Sequence, residues 1–236
     1  MSRTAELAES LDRLLGRVAA ACRSAGRPLE SVQLLPVTKF FPASDVDILY
    51  SLGRREFGES REQEAAAKIA AVTTPEPVRW HMIGRLQRNK ARAVAGWAHV
   101  VHSVDSARLV RALDSATTDA LAAGTRAEPL HVLLQVSLDG DPERGGVSAA
   151  DLSALAELVS GTESLVLDGL MAIPPLGADP ARAYENLADL HSRLLRTHPG
   201  ATALSAGMSG DLEIAVKYGS TCVRVGTALL GTRPIN

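Results

Sequence analysis

The chain has few aromatic residues, few cysteines, little net charge and no long apolar run. Aromatics are only 3% of its 236 residues, so its 46% hydrophobic fraction must build a core from leucine, valine, isoleucine and alanine. Two cysteines, Cys22 and Cys222, form no CxxC pair. They therefore argue against a metal site or a disulfide framework, and fit a reducing cytoplasm.

The charge and hydropathy exclude further classes. A net charge of −2 argues against broad electrostatic binding to nucleic acid or to an anionic membrane. No stretch approaches the ~20 apolar residues that a bilayer-spanning helix needs. The N-terminal residues lack the apolar core of a signal peptide, so we expect a cytoplasmic protein.

Short apolar runs alternate with helical patterns along the chain. The pattern predicts strands over residues 32–38, 55–58, 79–83, 98–103, 130–137, 165–172, 202–205 and 222–225. It predicts helices over 4–25, 42–53, 59–71, 86–94, 105–123, 149–160, 179–197 and 210–218, with a turn near 227–230. Eight strands with a helix after each of the first seven predict one α/β domain over residues 1–236. The expected fold is a (β/α)₈ TIM-type barrel with an extra N-terminal helix.

An open, doubly wound sheet is the alternative architecture, because it also alternates strands and helices. No GxGxxG motif follows the first predicted strand, and the strand count suits closure, so the barrel is favoured. Pro36 fits the first strand poorly, because proline lacks a backbone donor and is rare in central strands.

Lys39 follows the apolar run that forms the first predicted strand. Active sites of this fold lie at the C-terminal ends of the strands, so the amine would point into the barrel mouth. A lysine that loses its proton is a nucleophile able to form a Schiff base with an aldehyde. A solvated loop lysine is the competing interpretation.

Arg224 lies between Val223 and Val225 in the eighth predicted strand, so it points to the opposite face from both valines. Gly226 and Thr227 follow as a turn suited to a phosphate, and Met208 and Ser209 lie in a second such turn after strand seven, where Ser209 is predicted to cap a helix. A lysine, an arginine and a phosphate cradle together suggest pyridoxal 5'-phosphate (PLP). A salt bridge of Arg224 to a rim carboxylate, and ordinary loop chemistry for the turns, are the alternatives.

Other polar residues are weaker candidates. His81, in the third predicted strand, could contact a cofactor ring or be a hydrogen-bonded core histidine. Glu59 and Glu62 could complement the dipole of the following helix. The cations between Arg85 and Arg92 are best interpreted as a solvated helical face.

Several motifs, in this order, make the chain resemble the YggS/PROSC family of PLP homeostasis proteins. The matching segments are residues 35–39 (LPVTK), 57–59 (FGE), 80–90 (WHMIGRLQRNK), 102–105 (HSVD), 169–174 (GLMAIP), 204–213 (LSAGMSGDLE) and 223–227 (VRVGT). The resemblance covers nearly the whole chain. It implies a barrel like that of bacterial alanine racemase.

The resemblance also implies roles for individual residues. Lys39 would hold PLP as an internal aldimine and Arg224 would contact the pyridine nitrogen. Ser209, Gly226 and Thr227 would hold the phosphate, Met208 would also belong to the cofactor-binding residues, and His81 would lie close to the cofactor. The family usually has asparagine where this chain has Ser60, which could still donate a hydrogen bond. The chain also departs from the family at Pro36 and Arg144.

Three functions remain open at this stage. The first is a PLP-binding protein of vitamin B6 homeostasis that stores or delivers the cofactor, with PLP-dependent apo-enzymes as transient clients. The second is a PLP-dependent racemase-type enzyme. Tyr50, Tyr184 and Tyr218, its candidate acids, fall in predicted helices away from the mouth. The third is a cofactor-free Schiff-base lyase. We expect no established catalytic activity, and a monomer.

Overall fold

The computed structural model describes residues 2–175 and 177–232. Its strands are all parallel and lie in the order β1-β8-β7-β6-β5-β4-β3-β2. The strands are β1 (Gln33–Pro36), β2 (Glu56–Glu59), β3 (Arg79–Met82), β4 (Val100–Val104), β5 (Leu130–Gln135), β6 (Leu165–Met171), β7 (Ala203–Ser205) and β8 (Cys222–Val225). A parallel bridge between Val37 and Gly58 joins the two outer strands, so the sheet closes into a barrel.

Helices connect the strands and pack around the barrel. They are α1 (Arg3–Ser24), α2 (Ala43–Ser51), α3 (Glu62–Ala71), α4 (Ala91–Ala95), α5 (Ala107–Ala122), α6 (Leu152–Ser160), α7 (Pro180–Thr197), α8 (Leu212–Lys217) and α9 (Thr227–Leu230). The predicted TIM-type barrel with an extra N-terminal helix is confirmed, and the open sheet is excluded by the closure. Among the described residues no helix is both long and apolar enough to cross a membrane.

Pro36 is tolerated because it is the last residue of β1. It lies opposite Val225 in the register of β1 and β8, and the next residue, Val37, donates its N–H to the Val225 carbonyl at 2.9 Å. The missing proline donor therefore leaves a single gap near the strand end: pairing resumes at once, with the Thr38 N–H donating to the Gly58 carbonyl at 3.0 Å, and the register with β8 does not shift.

The core has two layers of different character. Side chains between the sheet and the helices are mostly aliphatic, with a few aromatics such as Phe57 and Trp80, and they include Val223 and Val225 of β8. Inside the barrel, polar side chains from several strands form hydrogen bonds with one another, as described below.

Gly169 allows β6 and β7 to approach each other closely, because a Cβ there would lie 1.8 Å from the Ala203 carbonyl oxygen.

The N-terminal helix α1 packs on the elements that end the chain. Arg17 of α1 donates to both carboxylate oxygens of Glu213 in α8, at 2.7 and 3.0 Å, and to the Ser209 carbonyl at 3.0 Å. Arg3 bonds Asp45 of α2 and the Leu230 carbonyl of α9. These contacts hold α8 and α9 against the barrel wall from outside.

Candidate functional site

A cavity of about 470 Å³ opens at the C-terminal ends of the strands, within the size range of small-molecule sites. It gathers seven of the eight residues predicted for the site: Lys39, Ser60, Met208, Ser209, Arg224, Gly226 and Thr227. The other described lining residues are Val37, Ile83, Gly84, Arg85, Gln135, Arg144, Ile173 and Gly210. His81 does not line the cavity.

Lys39 lies in the turn that follows β1, at the barrel mouth. Its neighbour Phe40 has a φ of 69°, a left-handed conformation that is uncommon for a residue with a Cβ. Such backbone strain persists only where the surrounding contacts impose it, and it concentrates at functional sites. The Lys39 amine lies 5.9 Å from the centroid of the Phe40 ring. A strained backbone conformation therefore lies directly beside the lysine that lines the cavity.

Beneath Lys39, a buried ion pair anchors the backbone of β1. Lys68 of α3 donates to the Thr38 carbonyl at 2.6 Å and to Glu59 Oε1 at 2.5 Å. Thr38 Oγ1 donates to the same carboxylate oxygen at 2.7 Å. Glu59 is fully buried at the end of β2, so the expectation that it complements a helix dipole is wrong. The residue before Lys39 is thus held on two sides.

Arg224 is 5% exposed and points into the barrel, as the strand alternation predicted. Its guanidinium donates to Ser205 Oγ at 2.6 Å and to the Ala172 carbonyl at 3.0 Å. No described carboxylate forms an ion pair with it, so the alternative of a rim salt bridge is wrong. Burial lowers the pKa of Arg224, yet a guanidinium remains charged in proteins. A buried cation held only by neutral groups suits a polar ligand in the cavity.

The turn after β7 is shaped by Asp211. Its carboxylate accepts from the Met208 N–H at 2.6 Å and from the Tyr184 hydroxyl at 2.6 Å. Asp211 is also the residue preceding α8, so the prediction that Ser209 caps this helix is wrong. Ser209 Oγ instead accepts from the Ala228 N–H at 3.4 Å, which links this turn to the one after β8.

The two turns together present free backbone donors to the cavity. In the described part of the chain, no acceptor is found for the N–H groups of Ser209, Gly210, Gly226 and Thr227. All four residues line the cavity. Converging backbone amides of this kind are a common way to bind a phosphate. The residues present therefore fit a phosphorylated ligand that also offers an aldehyde to Lys39.

Ser60 reaches the cavity because Gly84 has no side chain. A Cβ on Gly84 would lie 2.2 Å from the Ser60 carbonyl oxygen, so the loop after β2 can lie directly on the end of β3. Arg144, another lining residue, donates to the carbonyls of Ile173 and Pro174 and pairs with Asp139 at 2.6 Å. Its guanidinium therefore ties together the loops after β5 and β6.

The tyrosines lie outside the cavity. Tyr184 is buried in α7 with its hydroxyl on Asp211, Tyr50 lies in α2, and Tyr218 follows α8. Burial is the main cause that raises the pKa of Tyr184 far above its usual value, which makes its phenol a poor proton donor or acceptor. No described tyrosine, histidine, cysteine, aspartate or glutamate lines the cavity, so Lys39 has no partner there for proton transfer.

The cations between Arg85 and Arg92 lie mostly on the surface, as expected. Lys90 pairs with Glu62 and Arg92 pairs with Asp119, while Arg85 reaches the edge of the cavity. A larger cleft of about 810 Å³ lies beside the cavity and shares Ser60 and Arg85 with it. That cleft combines these cations with acidic side chains, so we assign the ligand site to the smaller cavity.

His81 is a hydrogen-bonded core histidine. Its Nδ1 lies 2.8 Å from His102 Nε2, and its Nε2 lies 2.8 Å from a carboxylate oxygen of Glu56. His102 in turn reaches Ser205, the residue that holds Arg224. Sequence reasoning missed Ser205, His102 and Glu56. The available signal was a polar residue at an interior position of an apolar strand, as in the run VVHSV of β4.

Buried histidines predict a loss of stability in mild acid. Burial is the main cause that lowers the pKa of His102 well below its usual value and that of His99 to about 4. The unfolded chain therefore binds more protons than the folded one between about pH 4 and 6.5, and stability falls as the pH falls through this window. We expect a lower urea midpoint at pH 5 than at pH 7.5.

A matched variant tests the sign of this pH effect. A hydrogen bond to Asp168 raises the pKa of His131, so this histidine stabilises the fold below its ordinary pKa and opposes the acid loss. His131→Gln should therefore make the dependence on pH steeper. A urea midpoint that stays constant from pH 7.5 to pH 5 in both proteins would contradict the argument.

Comparison with known proteins places this cavity in a family. The model of the alanine racemase N-terminal domain matches residues 10–234. The pyridoxal phosphate homeostasis protein of Mycobacterium tuberculosis (strain ATCC 25618 / H37Rv) is 53% identical over 243 residues, covering 98% of this chain and 94% of that protein. The protein of the same name from Pseudomonas aeruginosa is 40% identical and covers 96% of both chains.

A solved structure agrees with these relatives. PipY of Synechococcus elongatus PCC7942, with PLP bound, is 36% identical, with a TM-score of 0.81, and covers 95% of this chain and 100% of that one. The resemblance to PLP homeostasis proteins that the motifs indicated is thereby confirmed.

Proposed function

The chain belongs to the alanine racemase N-terminal domain family, and on that premise we propose that it binds PLP and serves in PLP homeostasis. One observation carries the proposal. The same cavity is lined by a lysine, by a buried arginine with no acidic partner among the described residues, and by four backbone N–H groups for which the described residues offer no acceptor. These are the groups that an aldehyde, a pyridine nitrogen and a phosphate require.

Each predicted site residue has a role in this proposal. Lys39 would supply the amine that reacts with the cofactor aldehyde, and Arg224 would donate to the ring nitrogen. The turns that carry Ser209, Gly226 and Thr227 would hold the phosphate, with Met208 beside them. Ser60 donates from the loop after β2. His81 lies below the cavity and would influence Arg224 through its hydrogen bond to His102, which in turn bonds Ser205. When bound, PLP supplies a reactive aldehyde and an electron-withdrawing ring.

A carrier function suits the composition of the cavity better than racemisation. A racemase must remove a proton from one face of a carbon atom and return one to the other, so it needs two acid–base groups within hydrogen-bond reach. Among the described lining residues only Lys39 is a candidate acid–base group, because no histidine, tyrosine, cysteine, aspartate or glutamate is among them. We therefore propose storage and delivery of PLP, with PLP-dependent apo-enzymes as clients. We propose that the chain works as one cytoplasmic domain and as a monomer.

Direct binding tests this function. Added PLP should produce a near-visible absorbance band that borohydride removes, while pyridoxal, which lacks the phosphate, should bind far more weakly. Gly226→Val places a branched side chain in the turn that lines the cavity, beside the Gly226 and Thr227 N–H groups; a Cβ there makes only an ordinary contact, 3.4 Å from the Val37 carbonyl oxygen, so the fold should tolerate it. We expect this variant to lose at least about tenfold in PLP affinity, equivalent to one or two hydrogen bonds to a charged phosphate.

Two results of these binding experiments would contradict the proposal. Wild-type protein that gives no absorbance band with excess PLP does not hold the cofactor as proposed. Equal affinity for PLP and pyridoxal would mean that the turns after β7 and β8 do not bind the phosphate. A racemase-type function would instead show itself as turnover of a free amino acid that disappears in Lys39→Ala.

A further inference from the structure

A chain of hydrogen bonds runs through the barrel interior from its lower end to the cavity. Arg224 Nη1 donates to Ser205 Oγ at 2.6 Å, and Ser205 Oγ lies 2.9 Å from His102 Nδ1. His102 Nε2 lies 2.8 Å from His81 Nδ1, and His81 Nε2 lies 2.8 Å from Glu56 Oε2. Five strands contribute one residue each. Ser205, His102 and His81 are all buried, whereas the Glu56 side chain is 30% exposed.

The direction of donation in this chain follows from its upper end. A guanidinium only donates, so Ser205 Oγ must accept from Arg224 and can give its own proton to His102 Nδ1. Burial lowers the pKa of His102 well below its usual value, so this imidazole is neutral and carries its proton on Nε2. It therefore donates to His81 Nδ1, which leaves the His81 proton on Nε2.

The lower end agrees with this direction. Glu56 accepts from His81 Nε2 and from the Gln33 amide at 2.7 Å, with Arg79 at 3.8 Å. The hydrogen bond from His81 is the main cause that lowers the pKa of Glu56 to about 2, so Glu56 is a carboxylate at neutral pH. Donation thus runs in one direction, from the Arg224 cation to the Glu56 anion.

We propose that these linked side chains, called the relay below, position Arg224. The relay consists of Ser205, His102, His81 and Glu56, and it holds the Arg224 guanidinium in the orientation in which it donates to the pyridine nitrogen of PLP. The inference rests on the proposed function. Aligned hydrogen bonds polarise one another, so each link strengthens its neighbours in the low-dielectric interior. Ser205 Oγ is one of two groups that fix the guanidinium, and its hydroxyl keeps its orientation only while His102 accepts the proton.

The relay also keeps the arginine charge available to a ligand. A carboxylate in direct contact would neutralise the guanidinium and occupy its donors. Here the nearest link is a neutral hydroxyl, and the compensating anion is four residues away along the relay. Breaking the relay should therefore weaken the binding of a ligand that has the ring nitrogen more than the binding of one that lacks it. If these residues had a purely structural role, the loss of affinity would be the same for both ligands.

A ligand pair measures that specificity. One ligand is PLP and the other is 1-deaza-PLP, in which a C–H group replaces the ring nitrogen. Both offer the same aldehyde to Lys39 and the same phosphate to the turns, so those contributions cancel in the ratio of dissociation constants. We expect wild-type protein to prefer PLP by about tenfold or more, since a hydrogen bond from a charged donor is lost with the nitrogen.

Variants of the relay should lower this preference without removing binding. Ser205→Ala should bring the ratio of dissociation constants close to one, because Arg224 loses its neutral anchor. Glu56→Gln keeps an acceptor for His81 and sits at the partly exposed end, so it should fold normally and give an intermediate ratio. Asp168→Asn is the matched control, because Asp168 bonds another interior histidine, His131, at 2.8 Å outside the relay. It should keep the wild-type ratio.

The outcomes separate this inference from the proposed function. If wild-type protein binds neither ligand, the proposed function fails. If it binds both ligands with equal affinity, Arg224 does not donate to the ring nitrogen, and the proposed role of the relay is wrong. An unchanged ratio in both Ser205→Ala and Glu56→Gln would also overturn the relay. Should Ser205→Ala fail to fold by circular dichroism, the ratio in Glu56→Gln decides alone: an intermediate value supports the relay and the wild-type value overturns it.

Discussion

Lys39→Ala should abolish the borohydride-sensitive absorbance of the PLP-bound protein completely. The variant removes the lining residue proposed to react with the aldehyde, while the free N–H groups of the phosphate turns and Arg224 stay in place. Weak, non-covalent PLP binding should therefore remain. The measurement is near-visible absorbance before and after reduction, with the modified lysine mapped by mass spectrometry.

A matched lysine serves as the control for this variant. Lys217 lies at the end of α8, is exposed and does not line the cavity. Lys217→Ala should keep the full absorbance and the same modified peptide. An intact, reducible band in Lys39→Ala would assign the covalent link to another lysine, such as Lys90 or Lys217, and would refute the proposed site.

Lys68→Met should lower the free energy of unfolding by about 3–5 kcal/mol, because removing one partner of a buried ion pair leaves an uncompensated charge. The stranded group is the Glu59 carboxylate, which is 0% exposed. Within the described part of the chain, its Oε2 already lacks a hydrogen-bond partner, and Thr38 Oγ1 alone would remain on Oε1. Urea unfolding measured at constant pH gives the change directly.

A double variant separates charge from packing at this pair. Glu59→Gln together with Lys68→Met removes both charges, so the combined loss should be smaller than that of Lys68→Met alone. Lys217→Met, on the surface, should stay within about 0.5 kcal/mol of wild type. A loss below about 1 kcal/mol for Lys68→Met would mean that water or a shifted carboxylate relieves the charge, against the close packing described here.

The fold could be predicted from the sequence because each element has a local signal. Apolar runs bounded by turn residues identified the strands, and β8 was predicted with the bounds that the structure has. The side-chain alternation within β8 also placed Arg224 on the interior face. The barrel geometry then brings strand ends together, which explains why residues as distant as Lys39, Ser209 and Arg224 share one cavity.

The missed features depend on the register between strands, which no local pattern specifies. Glu59 and Lys68 lie nine residues apart across a strand and a helix, so neither the period of 2 nor that of 3.6 pairs them. Similarly, His81 and His102 meet only because β3 and β4 are neighbours in one particular alignment. Asp211 rather than Ser209 precedes α8 because its carboxylate is also fixed by Tyr184 of another helix.

The pairing of β8 between β1 and β7 sets when the site comes into existence during synthesis. A ribosome makes Lys39 well before Arg224, Gly226 and Thr227. Until the final strand is released, β1 and β7 have no partner on that side, and the cavity lacks its arginine and one of its two phosphate turns. Under the proposed function, a chain that stops before β8 would therefore carry Lys39 without Arg224 and without one of the two turns proposed to bind the phosphate, and it should retain PLP poorly.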